Sequence, residues 1–282
     1  MLYFIPTPIG NLNDISQRAL RILGECESVL CEDTRVCKSL FALLNAKFGA
    51  KIAPKRVLSV HSHNEKEVLA NLDKGIFDEN VAYLSDAGMP CISDPGVLLV
   101  RFAQENGIAY EVLSGANAAL VAVAASGLCE KEFTFFGFLS NKGRERQKDI
   151  EKVLSNAYAS VIYESPKRIL ALVSELARLC PQRELFAIKE ISKKFEKKFK
   201  GEAKILAKAL ENENLNGEWV LVVAGEKESE KAGEKKGIFL SKDEIMALNL
   251  GTKDKAKLLA KFETKQTKEI YHQLLSEIWV LL

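Results

Sequence analysis

The sequence predicts an α/β protein of two domains, the first built on an open, mostly parallel sheet, with a small helical tail at the end of the chain. Three observations carry that expectation. Short apolar runs alternate five times with segments of helical apolar spacing between residues 2 and 126, the pattern of strands joined by crossover helices. The alternation resumes from Phe133 with a different texture, richer in aromatic residues and basic runs. A length of 282 residues with 47% apolar content can bury a sizeable core and suggests about two domains.

Leu2-Tyr-Phe-Ile5 is a buried-type strand that runs into Pro6-Thr-Pro-Ile-Gly-Asn11. Asn13 or Asp14 is placed to cap a helix over Ile15 to Leu23. Val29-Leu-Cys31 repeats the pattern, ending in Glu32-Asp-Thr-Arg35 before a helix to about 46. Val57-Leu-Ser-Val60 leads to His61-Ser-His-Asn-Glu65 and a helix to about 74. Val81-Ala-Tyr-Leu84 is the fourth strand, followed by a loop and a helix from about 95 to 106. Tyr110 to Leu113 is the fifth, and Ser114-Gly-Ala-Asn-Ala118 opens an Ala-rich helix to Ser126. In a parallel sheet the loops at 6–11, 32–35, 61–65, 85–96 and 114–118 all lie at one edge, where ligands of such sheets bind.

The loop after the fourth strand is unusual in composition. Ser85-Asp-Ala-Gly-Met-Pro-Cys-Ile-Ser-Asp-Pro-Gly96 holds two each of Gly, Pro, Asp and Ser, which breaks regular structure and stiffens the backbone. It suits either a ligand-presenting loop or a well-packed turn. Beyond it, strands are expected at Phe133–Phe138, Ser160–Tyr163, Leu185–Ile188 and Trp219–Val223, and helices near 143–156, 166–179 and 203–212. The expected divisions are 1–117, 118–225, a charged linker at 226–237 reading EKESEKAGEKKG, and a helical tail at 238–282 with helices at Lys242–Leu250, Lys253–Phe262 and Thr267–Leu282.

Six cysteines form no C-x-x-C pair and share no ligand spacing with the three histidines, so reduced thiols in a cytoplasmic protein are expected and a metal site is not. No signal peptide or membrane span is apparent. A net charge of +2 rules out a polybasic tail, yet local basic clusters remain compatible with nucleic acid. There is no G-x-x-x-x-G-K-[ST], G-x-G-x-x-G or G-x-S-x-G pattern. What remains is a set of small-residue loops with carboxylates and few fixed cations. These suit a ligand with a cationic or apolar reactive part, such as S-adenosylmethionine, better than a polyphosphate.

Six blocks then carry a family resemblance: Pro6 to Ile15, Glu32 to Arg35, His63-Asn-Glu65, Ser85 to Gly96, Tyr163-Glu-Ser-Pro-Lys-Arg168 and Gly217-Glu-Trp-Val-Leu-Val-Val223. Together they resemble the 16S rRNA (cytidine-2′-O)-methyltransferases of the tetrapyrrole methylase superfamily, in register from about residue 2 to 225, with a helical tail similar to theirs. The resemblance implies a two-domain tetrapyrrole-methylase-like fold with a mixed sheet in the second domain. It also implies S-adenosylmethionine as cofactor, a decoding-centre cytidine ribose of 16S rRNA within the small subunit as substrate, and a homodimer. Cofactor contacts are implied at Pro8, Ile9 and Gly10; at Asp86, Ala87, Gly88, Met89, Ile92 and Ser93; at Ser114, Gly115, Ala116, Asn117 and Ala118; and at Glu164, Glu190 and Glu218. Two departures stand out. The family has Pro-Gly-Pro-Ser-Ala where this chain has Ser114 to Ala118, and Thr where Met89 stands; both keep small turns, so altered side-chain contacts with binding retained are expected.

A hydroxyl nucleophile must lose its proton, and Asp33, Glu164, Glu190, His63 and Lys189 are the candidates to receive it. Asp33 with Arg35 suits substrate orientation through hydroxyl and phosphate, or equally an internal salt bridge capping the next helix. His61 and His63 more simply begin a helix than bind metal. Lys142, Arg144, Arg146 and Lys148, with the run from Lys193 to Lys200, are candidate phosphate contacts or plain solvated surface. Phe133, Phe135, Phe136 and Phe138 are expected in the core. A small-molecule methylase and a non-catalytic RNA-binding protein are the competing functions; cofactor binding separates the second from the rest, and a salt-sensitive need for 16S rRNA separates the first.

Overall fold

The computed structural model describes residues 1–226, 242–260 and 266–280. Residues 227–237 of the expected linker lie outside the described residues. The chain divides into two compact units, Met1–Glu226 and Lys227–Leu282.

The first unit holds two five-stranded sheets. Strands β1 (Leu2–Phe4), β2 (Ser28–Cys31), β3 (Arg56–Ser59), β4 (Val81–Leu84) and β5 (Tyr110–Val112) lie in the order β3-β2-β4-β1-β5. Every neighbouring pair is parallel, so all five strand ends open on the same edge. Helices α1 (Gln17–Glu25) and α2 (Thr34–Phe48) cover one face, where Leu23, Phe41 and Leu44 pack on Val29 and Leu84. Helices α3 (Glu65–Asn71) and α4 (Val97–Glu105) cover the other, where Leu69 and Leu99 pack on Leu2, Leu30 and Tyr83. β4 is buried along its whole length, as a continuous apolar run between two helical layers should be.

The second sheet is mixed, in the order β6 (Phe133–Phe138), β7 (Ala159–Glu164), β10 (Trp219–Val223), β8 (Glu184–Lys189), β9 (Lys197–Glu202). β6 runs parallel to β7 and the other pairs are antiparallel. The Ala-rich α5 (Ala118–Ser126) packs on one face, its Ala119 and Ala122 against Val161, Ile188 and Val220. Helices α6 (Gly143–Leu154), α7 (Ile169–Leu179) and α8 (Ala203–Glu211) cover the other.

Three expectations are corrected. Helix α1 is capped by Ser16, whose side chain accepts from the Ala19 N–H, while Asn11 caps a separate 3₁₀ turn at Leu12–Asp14. The third helix ends at Asn71 and a 3₁₀ turn follows at Lys74–Asp78. Lys197 to Lys200 belongs to edge strand β9, and its charges sit where an edge strand resists pairing with other chains. In the second unit, α9 (Lys242–Ala247), α10 (Thr252–Leu259) and α11 (Thr267–Val280) pack around Ile245, Ala256, Leu259, Ile270 and Leu274.

Candidate active site

The loops after β1 and β4 are joined where they leave the sheet. Thr7 and Gly88 exchange backbone hydrogen bonds of 2.9 and 3.1 Å, and a Cβ on Gly88 would lie 3.2 Å from Ile9 Cγ2 and 3.7 Å from the Ala116 carbonyl oxygen. The β1, β4 and β5 loops therefore form one wall. Within it Cys91 and Ser93 adopt left-handed backbone, with φ of 70° and 66°. Such strain in non-glycine residues persists only where surrounding structure enforces it.

The opposite wall comes from the second sheet. Between Phe135 and Gly137 the β6 to β7 register shifts, with Gly137 at φ 62°, and a Cβ there would come within 2.8 Å of Ser93 Oγ. The bulge brings the two walls into close approach and turns Phe138 out of the core. Phe138 is 60% exposed and packs edge-on against Tyr163 at 5.7 Å, contrary to the core position expected from sequence. Phe133, Phe135 and Phe136 are half-buried and pack against the core clusters.

Between the walls lies a cavity of about 380 Å³. It is lined by Ala87, Gly88, Met89, Ile92, Ser93 and Asp94, by Asn117 and Ala118, and by Phe138, Tyr163, Glu164, Ser165, Pro166, Glu218, Trp219 and Val220. Nine of the residues expected at the cofactor thus meet in one place. Pro8, Ile9, Gly10, Asp86, Ser114, Gly115, Ala116 and Glu190 stand outside this lining. Asp94, Phe138, Tyr163, Ser165, Pro166, Trp219 and Val220 are lining residues absent from the expected set, although all but Phe138 fall inside the sequence blocks that carry the resemblance.

No lysine or arginine lines the cavity, and three carboxylates do. Glu164 is 2% exposed. Its Oε1 accepts from Arg168 Nε at 2.6 Å and the Ser165 N–H at 2.7 Å, while its Oε2 has no hydrogen-bond partner and lies 3.8 Å from Arg146. Glu218 points to solvent and pairs with Lys193 at 3.1 Å, and Lys193 also holds Glu190. Asp94 has no cation partner among the ion pairs of the described residues. Burial pushes its carboxyl up to about 6 against a hydrogen bond with Ser85, helped by the nearby Glu32 and Asp86 carboxylates. Tyr163 closes the far side, its hydroxyl accepting from the Ala119 N–H at 3.2 Å.

Asp33 and Arg35 form the internal arrangement. Asp33 Oδ1 accepts from the Arg35 N–H at 2.8 Å, capping α2, and Oδ2 meets the guanidinium at 2.6 Å. Those bonds hold the Asp33 carboxyl well below the usual carboxylate range, which makes it a poor base. Lys189 is 4% exposed, donates to Glu213 Oε1 and the Asn214 carbonyl, lies over the Trp219 ring and is not among the cavity-lining residues. His63 is exposed, with its N–H on His61 Nδ1. The basic runs are largely matched: Arg146 by Glu175 and Glu164, Lys148 by Glu145, Lys197 by Glu213, Lys198 by Glu196 and Lys200 by Glu184.

S-adenosylmethionine fits these residues on two grounds. Three carboxylates and no lysine or arginine line the cavity, which favours a cationic ligand, and Glu164 Oε2, 3.8 Å from Arg146, accepts no hydrogen bond and so has room for a donor from whatever fills the cavity. Comparison with known proteins agrees. The family profile described as Tetrapyrrole (Corrin/Porphyrin) Methylases matches residues 1–207. The ribosomal RNA small subunit methyltransferase I of Campylobacter fetus subsp. fetus is 54% identical over 277 residues, 98% of this chain and 100% of its own. That of Helicobacter pylori strain J99 is 42% identical over 290 residues, 98% of each chain. Among solved structures, the cobalt precorrin-4 methyltransferase CbiF has a TM-score of 0.55 at 16% identity, over 79% of this chain and 94% of its own. Uroporphyrin-III C-methyl transferase from Thermus thermophilus, complexed with S-adenyl homocysteine, has a TM-score of 0.53 at 18% identity, over 78% and 96%.

Proposed function

The chain belongs to the tetrapyrrole methylase family, and on that premise we propose that it is an S-adenosylmethionine-dependent methyltransferase of small-subunit rRNA that methylates the ribose 2′-hydroxyl of a decoding-centre cytidine in 16S rRNA. One observation carries this reading: 54% identity along 98% of the chain to a protein named ribosomal RNA small subunit methyltransferase I. The cavity supports the cofactor. The ribose target rests on the family resemblance that the six sequence blocks carry.

Ala87 to Met89, Ile92, Ser93, Asn117 and Ala118 would hold the cofactor with backbone groups and small side chains, while Glu164 and Glu218 supply negative charge. Bound S-adenosylmethionine supplies an electrophilic methyl carbon on a positively charged sulfur, which departs as a neutral thioether. Met89, Ile92, Phe138 and Val220 give the reacting groups an apolar surround that limits water. Positioning and this apolar environment together contribute much of the acceleration. Arg35, whose side chain is 90% exposed beside Asp33, is available to an RNA phosphate at the same sheet edge. We assign the protein to the cytoplasm and to a homodimer; Leu120 and Val121 stand exposed on α5, a helix apolar on nearly all sides, and a second copy would cover them. A monomeric mass in light scattering would remove the dimer.

The decisive experiment is methyl transfer from labelled S-adenosylmethionine to purified small subunits from cells lacking this protein, with the modified nucleotide mapped. Label on one decoding-centre cytidine ribose is expected. Cofactor binding without transfer to subunits or naked rRNA would point instead to a small-molecule methylase.

A further inference from the structure

We propose that Phe138 is the platform on which the base of the target nucleotide stacks while its ribose meets the cofactor, an assignment that rests on the ribose-methylation reading above. A ribose within folded RNA reaches a methyl carbon held in a cavity only if its nucleotide leaves the surrounding stack. The base then loses its neighbours, and an aromatic side chain at the cavity returns the stacking that it gave up.

A lone exposed apolar side chain is ordinary on a protein surface, but the backbone turns this one outward. Phe133, Phe135 and Phe136 of the same strand are half-buried, whereas left-handed Gly137 and the register shift beside it place Phe138 in the cavity lining with most of its ring exposed. The ring is held there. Tyr163 packs edge-on against it and is itself fixed by Phe135, at 4.9 Å between ring centroids, and by the Ala119 N–H. A side chain so held loses little freedom when a base stacks on it. The other lining aromatics are engaged: Tyr163 with those partners, and buried Trp219 with Phe199 and Lys189. Phe195 is exposed too, but it lies outside the lining with Lys194 over its ring. Ile92, the other exposed large apolar side chain of the lining, stands on the opposite wall.

Charge is arranged to match. No cation lines the cavity, so a phosphate gains nothing by entering it. Lys142 and Arg144, at the start of α6 a few residues beyond Phe138, are exposed and carry no ion pair among the described residues, whereas Arg146 and Lys148 are matched by carboxylates. Lys167, next to the lining residue Pro166, is likewise exposed and without an ion pair among the described residues. An RNA strand at this mouth would turn base and ribose inward and leave its phosphates to these cations.

The test uses the full-length protein, S-adenosylmethionine and small subunits from cells lacking it. Phe138→Ala should lower kcat/KM for subunits by about 5- to 150-fold, the range for one base on one aromatic ring, while calorimetry gives cofactor affinity within about threefold of wild type. Phe138→Trp should keep kcat/KM within about threefold. Phe138→Leu, which excludes water but has no aromatic face, should fall with the Ala variant. A second arm changes the RNA and leaves the protein alone: on subunits reassembled around 16S rRNA that lacks only the base at the mapped ribose, wild type and Phe138→Ala should act at the same rate. A Phe138→Ala or Phe138→Leu protein that keeps its kcat/KM, or an Ala penalty that persists on the base-free ribose, overturns the assignment alone. Loss of cofactor affinity in Phe138→Ala would give the ring to the cofactor and also overturn it. Failure of the wild-type protein to label any ribose would remove the underlying reading, and the assignment with it.

Discussion

Glu65, the first residue of α3, reaches across to cap a different helix: its Oε1 accepts from the Gly96 N–H at 3.1 Å and from the Leu99 N–H at 3.1 Å. Gly96 at the N-cap of α4 has no side chain to do this itself. Its φ of 118°, and the 2.6 Å that would separate a Cβ from Tyr83 Cε1, exclude Ser, Asp or Asn there. The helix start that ends the cavity loop is thus satisfied by a buried carboxylate from another strand connection. Replacing Glu65 by Ala should cost about 1–3 kcal/mol, the penalty for stranding buried donors. Urea unfolding reads that loss, and cofactor affinity should weaken with it; an unchanged midpoint would show that the cap is dispensable.

Gly137 permits the approach of the two cavity walls. Gly137→Ala should destabilise by about 1–2 kcal/mol for the left-handed backbone alone, with a further penalty from the contact to Ser93 Oγ, 2.8 Å from the new Cβ. Ser93→Ala in the same chain should relieve the contact but not the backbone strain. A thermodynamic cycle of the two substitutions therefore has a favourable coupling, and strict additivity would mean that Ser93 moves aside freely.

The Glu164–Arg168 pair is buried on the carboxylate side. Arg168→Met should cost about 3 kcal/mol, the low end for breaking a buried pair, because Arg146 remains 3.8 Å from Oε2. Adding Glu164→Gln should restore part of that stability while leaving cofactor affinity impaired. Calorimetric unfolding and cofactor titration on the same samples separate the two effects; full recovery of affinity in the double variant would take Glu164 out of the cofactor site.

Much of this architecture was legible because its causes are local. β4 reads as a buried strand since four apolar residues precede a loop that Pro90, Pro95, Gly88 and Gly96 make irregular. The same composition fits a ligand-presenting loop or a packed turn equally, and the family resemblance is what implies cofactor contacts at Ala87 to Met89, Ile92 and Ser93. What escaped depends on partners far along the chain. The cap from Glu65 spans 31 residues, and nothing near Lys189 in sequence announces Glu213. Phe138 leaves the core because its strand is not regular, and Gly137 inside an aromatic run is the sequence sign of that bulge. β9 was hidden by its charges, which describe its edge position and not its backbone.

Arg35 stands exposed at the sheet edge and makes no part of the cavity lining. If it meets an RNA phosphate, Arg35→Ala should make the salt dependence of subunit binding less steep by about one in log–log slope, with cofactor affinity unchanged. Filter binding across a salt series measures this. An identical slope would leave Arg35 with only its bond to Asp33.

Asp94 also sets a pH dependence of stability whose sign is opposite to that of a salt-bridged carboxylate. Its folded carboxyl stands at about 6, above the unfolded value of about 3.9, so between those values the folded chain binds more protons than the unfolded one. Stability contributed by the protonated group is therefore full below about pH 4 and falls as pH rises to about 6. The gap is worth at most about 3 kcal/mol, and solvent reaching this half-buried group reduces it to about 1–2 kcal/mol. Asp94→Asn removes the charge and should unfold at higher urea than wild type at pH 7.5, with the advantage shrinking toward pH 4.5. A gain in stability would show that the carboxylate is destabilising where it sits; a variant less stable than wild type at pH 7.5 would instead place Asp94 among the groups that hold the loop.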